Sequence, residues 1–248
     1  MPEGRPAVVA IFGPTGVGKT AVAVALAERI RKRGGDAVAI GADALQVYEG
    51  LSALTGAAGP EDRNRLEHRL VGFVPITDKF DAGQYMPLAH AEIDSALAAG
   101  RTPVVVGGTG LYMRAAVAEL SLRPAGPGAE SELWSADTRH PTLMIGLNME
   151  RVALYERIDR RVDEIVAGGA REEVLQADAA GASLTARKAL GFDELLAGDV
   201  ETMRRRSRRY AARQLTWMRK IHSLHELDVT GRAPEEVAAE IDSLLFTA

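Results

Sequence analysis

Short apolar runs alternate with longer segments of helical character along the first two thirds of the chain. Four of these runs have the length and the Val, Ile and Ala content of buried strands, and they cover residues 7–12, 37–40, 103–106 and 141–147. A helix-length segment separates the first run from the second, which lets the two strands lie parallel. The pattern therefore predicts an α/β protein with a mostly parallel sheet.

Amphipathic or alanine-rich segments of helical spacing follow these runs and dominate the end of the chain. Their predicted limits are residues 21–32, 86–99, 151–167, 172–180, 204–220 and 234 onward. Residues 50–65 are predicted to be an irregular surface segment because Gly56, Gly59 and Pro60 interrupt them. Short strands are expected within residues 68–74 and 225–229.

The stretch between the first strand and the first helix has the G-x-x-x-x-G-K-[ST] pattern of a phosphate-binding loop, Gly13-Pro14-Thr15-Gly16-Val17-Gly18-Lys19-Thr20. Its glycines let successive backbone N–H groups converge on phosphate oxygens, and the helix N-terminus adds about half a positive charge. Lys19 supplies an ammonium for the outer phosphate, and the Thr20 hydroxyl is suited to Mg²⁺. The alternative is a glycine-rich turn without a ligand. In its strand–loop–helix setting, the motif predicts binding of a di- or triphosphate.

Two further strands end in polar residues that should face the same crevice. Asp43 follows the second strand, and Thr109 follows Gly107-Gly108 at the end of the third apolar run. Ligands of open α/β sheets bind at the carboxyl ends of the strands, so both are candidate site residues. The alternatives are an N-cap of the next helix for Asp43 and an N-capping tight turn for Thr109.

Composition narrows the class of protein. The 248 residues include 46% apolar and 26% charged side chains, a net charge of −4 and no cysteine. Disulfides, a thiolate nucleophile and a cysteine-based zinc site are thereby excluded. No apolar run reaches the roughly 18 residues of a membrane span, and the first residues lack the apolar region of a signal peptide. We therefore expect a cytoplasmic protein without a membrane contact.

The charge distribution is less ordinary than the total. Residues 204–220 hold eight Lys or Arg and no Asp or Glu, interleaved with Tyr210 and Trp217. A solvated face would usually mix both signs, so the run favours binding of a polyanion or several phosphates. Arg157, Arg160 and Arg161 on the 151–167 helix are most simply interpreted as a solvated surface.

Four segments, in their order and spacing, resemble one family, the tRNA dimethylallyltransferases, which prenylate the adenosine next to the anticodon. They are residues 13–20, 43–48, 107–112 and 208–219, the last with a specific Arg-Gln-Leu-Thr-Trp core. The resemblance covers most of residues 6–122 and 142–228. It implies a P-loop NTPase-like three-layer fold with a mostly parallel sheet and a C-terminal helical part.

The resemblance also implies a reaction. The phosphate loop would hold the diphosphate of dimethylallyl diphosphate rather than ATP, with Mg²⁺ at Thr20 and Lys19 stabilising the leaving group. Asp43 matches the general base for the N6 proton of adenine, and Thr109 matches the hydroxyl beside the scissile allylic C–O bond. The implied partners are the donor and an anticodon-loop adenosine of tRNA, bound by a monomer. Contacts with tRNA are implied for Asp43, Ala44, Leu45, Gln46, Arg208, Arg213 and Gln214.

The sequence departs from the family in several places. Residues 43–46 read Asp-Ala-Leu-Gln instead of Asp-Ser-x-Gln, residues 54–57 read Leu-Thr-Gly-Ala instead of Gly-Thr-Ala-Lys, and residues 68–70 read His-Arg-Leu instead of His-His-Leu. Between Leu122 and Thr142 a short segment replaces a long helical insertion that grips the anticodon stem-loop. The expected organisation is a prenyl-diphosphate-binding core in residues 1–122 and a linker at 123–140. Residues 141–248 then complete the core and carry the basic helix.

Three alternatives stay open from the sequence. The same prenyl transfer could use a free adenine nucleotide as acceptor, because the insertion is missing. A small-molecule kinase would place ATP in the phosphate loop. A catalytically degenerate paralogue would bind nucleic acid without turnover, as the altered family positions permit.

Overall fold

A single parallel sheet forms the centre of the molecule. The structure, a computed structural model, describes residues 7–121, 133, 135–221 and 223–247. Six strands occur in these residues, in chain order β1 (Val8–Phe12), β2 (Ala37–Gly41), β3 (His68–Arg69), β4 (Thr102–Gly107), β5 (Thr142–Asn148) and β6 (Leu224–Asp228). Their order across the sheet is β3-β2-β4-β1-β5-β6, and every neighbouring pair is parallel. The predicted α/β architecture is confirmed.

Helices fill the connections between the strands. Those of the described residues are α1 (Lys19–Lys32), α2 (Ser52–Thr55), α3 (Pro60–Arg65), α4 (Ala82–Ala98), α5 (Gly110–Val117), α6 (Arg151–Ala167), α7 (Ala170–Ala179), α8 (Phe192–Ala197), α9 (Val200–Met218) and α10 (Pro234–Thr247). A 3₁₀ turn at Ala186–Lys188 precedes α8. The bounds of α6 and the start of α10 are those that the sequence pattern predicts.

Alternation along β1 divides the core into two halves, one on each side of the sheet. Val9 and Ile11 join a buried cluster with α1 and α10, whereas Val8, Ala10 and Phe12 join a cluster with α4 and α5. Side chains of a strand point to opposite faces in turn, so both faces of β1 are covered by helices. The result is the predicted three-layer arrangement, with the β5 and β6 strands of the C-terminal part in the same sheet.

The register of the central strands brings three loops to one edge. Phe12, the last residue of β1, pairs with Gly107 of β4, and Gly41, the last residue of β2, pairs with Val106. The strands β2, β4 and β1 are therefore level at their carboxyl ends. The phosphate loop and the loops after Gly41 and Gly107 start side by side.

Three predicted segments differ from the structure in kind, length or start. The prediction that residues 50–65 are irregular is wrong, because α2 and α3 lie within them. Pro60 occupies the first turn of α3, followed by Glu61 and Asp62, so the residue interpreted as a breaker starts a helix. The strand expected within 68–74 is limited to two residues at the sheet edge. The α4 helix begins at Ala82, ahead of the predicted start, because Asp81 and Gln84 form a capping box.

The connection between α5 and β5 is anchored at its return by a buried arginine. Most of the expected linker at 123–140 lies outside the described residues, which omit 122–132 and 134. Arg114 is buried in α5, and its guanidinium donates to the carbonyls of Leu133 (3.1 Å) and Asp137 (3.2 Å). Burial lowers the pKa of Arg114. The Arg114 guanidinium thus holds the backbone in place where the chain returns to the sheet.

Candidate active site

The phosphate loop connects β1 to α1. Gly18 lies at the N-cap of α1 with φ of 103°, a backbone conformation that L side chains rarely adopt. The Lys19 ammonium donates to the carbonyls of Gly13 (3.0 Å) and Pro14 (2.9 Å) and so lies across the loop. Burial lowers the pKa of Lys19 to about 8; the nearby Asp43 carboxylate opposes this shift and Arg161 adds to it. A buried ammonium beside a helix N-terminus favours an anionic ligand.

Asp43 lies at the carboxyl end of β2 and lines the same cavity as Lys19. Its Oδ1 accepts from the backbone N–H of Leu45 (3.0 Å), a local turn, and no helix starts directly after it. The N-cap alternative for Asp43 is therefore not the arrangement that the structure has. Leu45 and Gln46 also line the cavity, and the Gln46 amide donates to the carbonyl of Thr55 (3.2 Å).

Thr109 connects the Asp43 loop to helix α9. It occupies the N-cap position of α5, but its hydroxyl makes no capping bond to that helix. Thr109 Oγ1 instead accepts from the N–H of Ala44 (3.2 Å) and lies 3.4 Å from the Tyr210 hydroxyl. Burial and the Asp43 charge raise the pKa of Tyr210 well above its usual range. Two neutral hydroxyl groups thus lie next to the loop that carries the carboxylate.

Gln214 joins the phosphate loop to the end of β4. Its buried amide accepts from the N–H of Thr15 (2.8 Å) and donates to the carbonyl of Gly108 (2.7 Å). Helix α9 therefore fixes the position of one phosphate-loop N–H group relative to the sheet. The predicted tRNA contact of Gln214 stays a prediction, and both hydrogen-bonding ends of its amide are used within the protein.

The two arginines predicted to bind tRNA, Arg208 and Arg213, lie outside the cavity lining. Arg208 pairs with Asp159 of α6 and lies 5.9 Å from the Tyr155 ring centroid, whereas Arg213 stacks over Tyr210 at 5.6 Å. Helix α9 presents a different set of side chains to the cavity: Met203, Ser207, Tyr210 and Gln214. The sequence pattern indicates Tyr210 only as one of the aromatic residues within the basic run, and it does not predict that Tyr210 lines the cavity.

The cavity has both a polar and an apolar lining. Its volume is about 330 Å³. The polar groups belong to the phosphate loop, Thr20, Asp43 and Asp62. Apolar side chains from five parts of the chain form an apolar wall: Leu45, Leu54, Ile158, Val162, Ile165, Leu190 and Met203. A ligand with an anionic group and a small hydrocarbon group matches both kinds of lining.

Arg161 is the residue that the sequence interpretation missed. The expectation that Arg157, Arg160 and Arg161 form only a solvated surface is wrong for Arg161, which lines the cavity and donates to the carbonyls of Thr55 (3.1 Å) and Gly56 (3.2 Å). Burial lowers its pKa. The available signal was its position next to Val162, because a residue beside the apolar stripe of a helix is at the edge of the packed face.

The donor set of the cavity fits Mg²⁺ only together with a phosphate ligand. Among the described residues, no group of three or more His, Cys, Asp or Glu side chains could hold a metal by itself. Mg²⁺ keeps several waters and binds through one or two protein oxygens plus substrate phosphates. Thr20 in the phosphate loop and the nearby Asp43 supply that kind of donor. In the part of the chain that the structure describes, no helix is long and apolar enough to cross a membrane.

Comparison with known proteins gives one consistent result. The family model described as IPP transferase matches residues 46–139 and 127–221. The tRNA dimethylallyltransferase of Limosilactobacillus fermentum is 31% identical over 305 aligned positions, which cover 96% of this chain and 97% of the relative. That of Thermobifida fusca is 32% identical over 89% of each chain. The crystal structure of full-length tRNA isopentenylpyrophosphate transferase from Bacillus halodurans matches with a TM-score of 0.82 at 27% identity, covering 96% of both chains.

The alignments also carry information on length. The 305 aligned positions with the Limosilactobacillus protein exceed the 248 residues of this chain, so the relative has residues without a counterpart here. The two stretches that match the family model overlap at residues 127–139, between α5 and β5.

Proposed function

The chain belongs to the IPP transferase family, and from that premise we propose that it transfers a dimethylallyl group from dimethylallyl diphosphate to N6 of the adenosine next to the anticodon of tRNA. The observation that carries the proposal is the double character of the cavity. A phosphate loop with a buried lysine and an apolar wall line the same cavity, and Asp43 belongs to that lining. A five-carbon allyl group matches an apolar wall, whereas a nucleoside triphosphate would place its polar ribose against it.

The donor half of the reaction uses the phosphate loop. Positive charge develops on the allylic carbon as its bond to oxygen breaks, and negative charge grows on the departing diphosphate. The loop N–H groups and the Lys19 ammonium stabilise the diphosphate, and the Gln214 amide holds the Thr15 N–H in place. Mg²⁺, held through Thr20 and the phosphate oxygens, would add further neutralisation of that charge.

The acceptor half uses the carboxylate. The lone pair of N6 is delocalised into the adenine ring, so N6 attacks well only if its proton is taken away. Asp43 is positioned to accept that proton, and the target base must be flipped out of its loop to reach it. The Thr109 hydroxyl accepts from Ala44 N–H, and when the Tyr210 hydroxyl is the donor of their shared contact, Thr109 can donate its own proton towards the departing oxygen. Residues Ala44 to Gln46 would then contact the nucleotide that has entered.

A transfer assay with paired acceptors tests the proposal. Purified protein is incubated with radiolabelled dimethylallyl diphosphate and Mg²⁺, with unmodified tRNA in one arm and AMP in the other. The expected result is label in tRNA, abolished by EDTA. Label in neither acceptor would overturn the proposal, and label in AMP alone would replace tRNA with a free nucleotide.

A competition arm separates the kinase alternative. An enzyme that uses ATP in the phosphate loop would bind ATP tightly with Mg²⁺, and dimethylallyl diphosphate would not displace the bound ATP. We expect the reverse preference, because the apolar wall matches the allyl group.

We also propose that the protein acts as a cytoplasmic monomer, since one chain supplies the whole cavity. Light scattering after size-exclusion chromatography tests the oligomeric state.

A further inference from the structure

Three of the six arginines of helix α9 are paired with carboxylates of neighbouring helices. Arg204 pairs with Asp163 of α6, Arg208 pairs with Asp159 of α6, and Arg206 pairs with Glu194 of α8. Asp159 and Asp163 are four residues apart and therefore lie on the same face of α6. Half of the α9 arginines, which form most of the conspicuous basic run of the sequence, thus join α9 to its neighbours.

The other face of α6 carries arginines that have no such partner. Arg157, Arg160 and Arg161 line a groove between α6 and α2, and in the described part of the chain none of the three lies within ion-pair distance of a carboxylate. Glu164 is the acidic residue of this groove, and its charge acts on Arg161. The groove therefore carries an excess of positive charge.

This groove adjoins the phosphate loop. Gly16 and Gly18 line both the groove and the central cavity, as do Gly56 and Arg161. A Cβ built on Gly18 would lie 3.3 Å from Arg157 Nη2, which places that guanidinium next to the loop backbone. Arg157 and Arg160 are exposed at the surface, while Arg161 reaches inward. An anion at the mouth of the cavity would meet all three.

We propose that the groove lined by Arg157, Arg160 and Arg161 is a second phosphate subsite, filled by a backbone phosphodiester of the acceptor RNA. This inference rests on the proposed function. Guanidinium groups bind phosphate oxygens in bidentate fashion, and none of these three is engaged by a carboxylate in the described residues; Arg161 uses only its Nη2 on the carbonyls of Thr55 and Gly56. The single diphosphate of the donor is already matched by the phosphate loop. The groove is also wide and open to the surface, as a polymer that continues beyond the cavity requires.

The test removes the two exposed charges and measures RNA binding without turnover. The double variant Arg157→Gln/Arg160→Gln is titrated into a fluorescent anticodon stem-loop RNA, and anisotropy is followed at several salt concentrations. We expect roughly 10- to 30-fold weaker binding near 0.1 M salt, and a slope of log K against log salt that is shallower by about 1.4, from two lost contacts with single-stranded phosphates. The control Lys32→Gln/Arg171→Gln removes two exposed cations that lie outside both cavities and outside helix α9, and it should bind like the wild type.

Kinetics identify the source of the phosphate. With the double variant, KM for RNA should rise while KM for dimethylallyl diphosphate stays at the wild-type value. A raised donor KM with unchanged RNA affinity would assign the groove to the donor or to released diphosphate and would overturn the proposal. Equal loss of affinity in the control pair would reduce the effect to overall charge, with the same consequence. If the wild type transfers no prenyl group, the proposed function fails, and the anisotropy measurement still decides whether the groove binds RNA.

Discussion

Removal of the Gln214 amide tests whether helix α9 sets the geometry of the phosphate loop. In the variant Gln214→Ala, the partly buried N–H of Thr15 and the buried carbonyl of Gly108 both lose their partner. Each unsatisfied buried group costs about 1–3 kcal/mol. Because the Thr15 N–H is only partly buried, the free energy of unfolding should fall by about 2–4 kcal/mol, the lower part of the range for two groups. For a chain of this size, 1 kcal/mol corresponds to about 2–4 °C in Tm, which gives a decrease of about 5–15 °C.

The same variant should affect donor binding. Thr15 belongs to the loop whose N–H groups are proposed to surround the diphosphate. Without the Gln214 amide, no hydrogen bond from helix α9 orients the Thr15 N–H. We expect KM for dimethylallyl diphosphate to rise about tenfold, because small displacements of positioned groups have effects of this order or larger. Thermal unfolding followed by circular dichroism and steady-state kinetics with varied donor give the two quantities.

A matched substitution on the same helix controls for general effects. Thr216 is exposed on α9 and its hydroxyl bonds only to the carbonyl of Ala212, so Thr216→Ala should change the unfolding free energy by less than about 0.5 kcal/mol. A Gln214→Ala protein whose Tm lies within about 2 °C of the wild type would refute the hydrogen-bond reasoning. A lowered Tm with unchanged donor KM would refute the positioning of the loop.

Three further predictions follow from the same site. Asp43→Asn should lower the turnover number by roughly 10²- to 10⁴-fold in the transfer assay, because the amide cannot accept the N6 proton. Donor affinity, measured by calorimetry, should weaken as pH rises through about 8. The pKa of Lys19 is about 8, and Lys19 attracts the diphosphate only in its protonated form. The variant Lys19→Arg stays charged and should remove this pH dependence. Gly56→Ala should displace Arg161, with which its Cβ would collide, and weaken RNA binding in the anisotropy titration, whereas Gly34→Ala, at a similar positive φ with open space, should show only the backbone cost in a thermal melt.

The architecture could be predicted because strand and helix periods are local properties of the sequence. The four apolar runs and the phosphate loop between the first strand and helix determine a parallel sheet and its ligand-binding edge. Segments with weak periodicity were less predictable. Pro60 has the same chemistry in a loop and in the first turn of a helix, and only packing against α1 and the sheet decides between them.

The candidate site was predictable where a motif specifies it and unpredictable where pairing decides. Lys19, Asp43 and Thr109 follow the carboxyl ends of strands, so topology alone places them at one edge. Their proposed roles still await the experiments above. Gln214 carried no signal of its contact with Thr15, because the two are 199 residues apart and a neutral amide is common in helices.

Charge is the property that the linear sequence represents least well. A count gives α9 the densest positive run, yet the charge available to a ligand is what remains after internal pairing. Asp159 and Asp163 lie four residues apart and turn towards α9, where they meet Arg208 and Arg204. The same helical period turns Arg157 and Arg161 away from α9 and towards the phosphate loop. A helix of mixed sign can therefore present a strongly positive surface, because it separates its charges onto two faces.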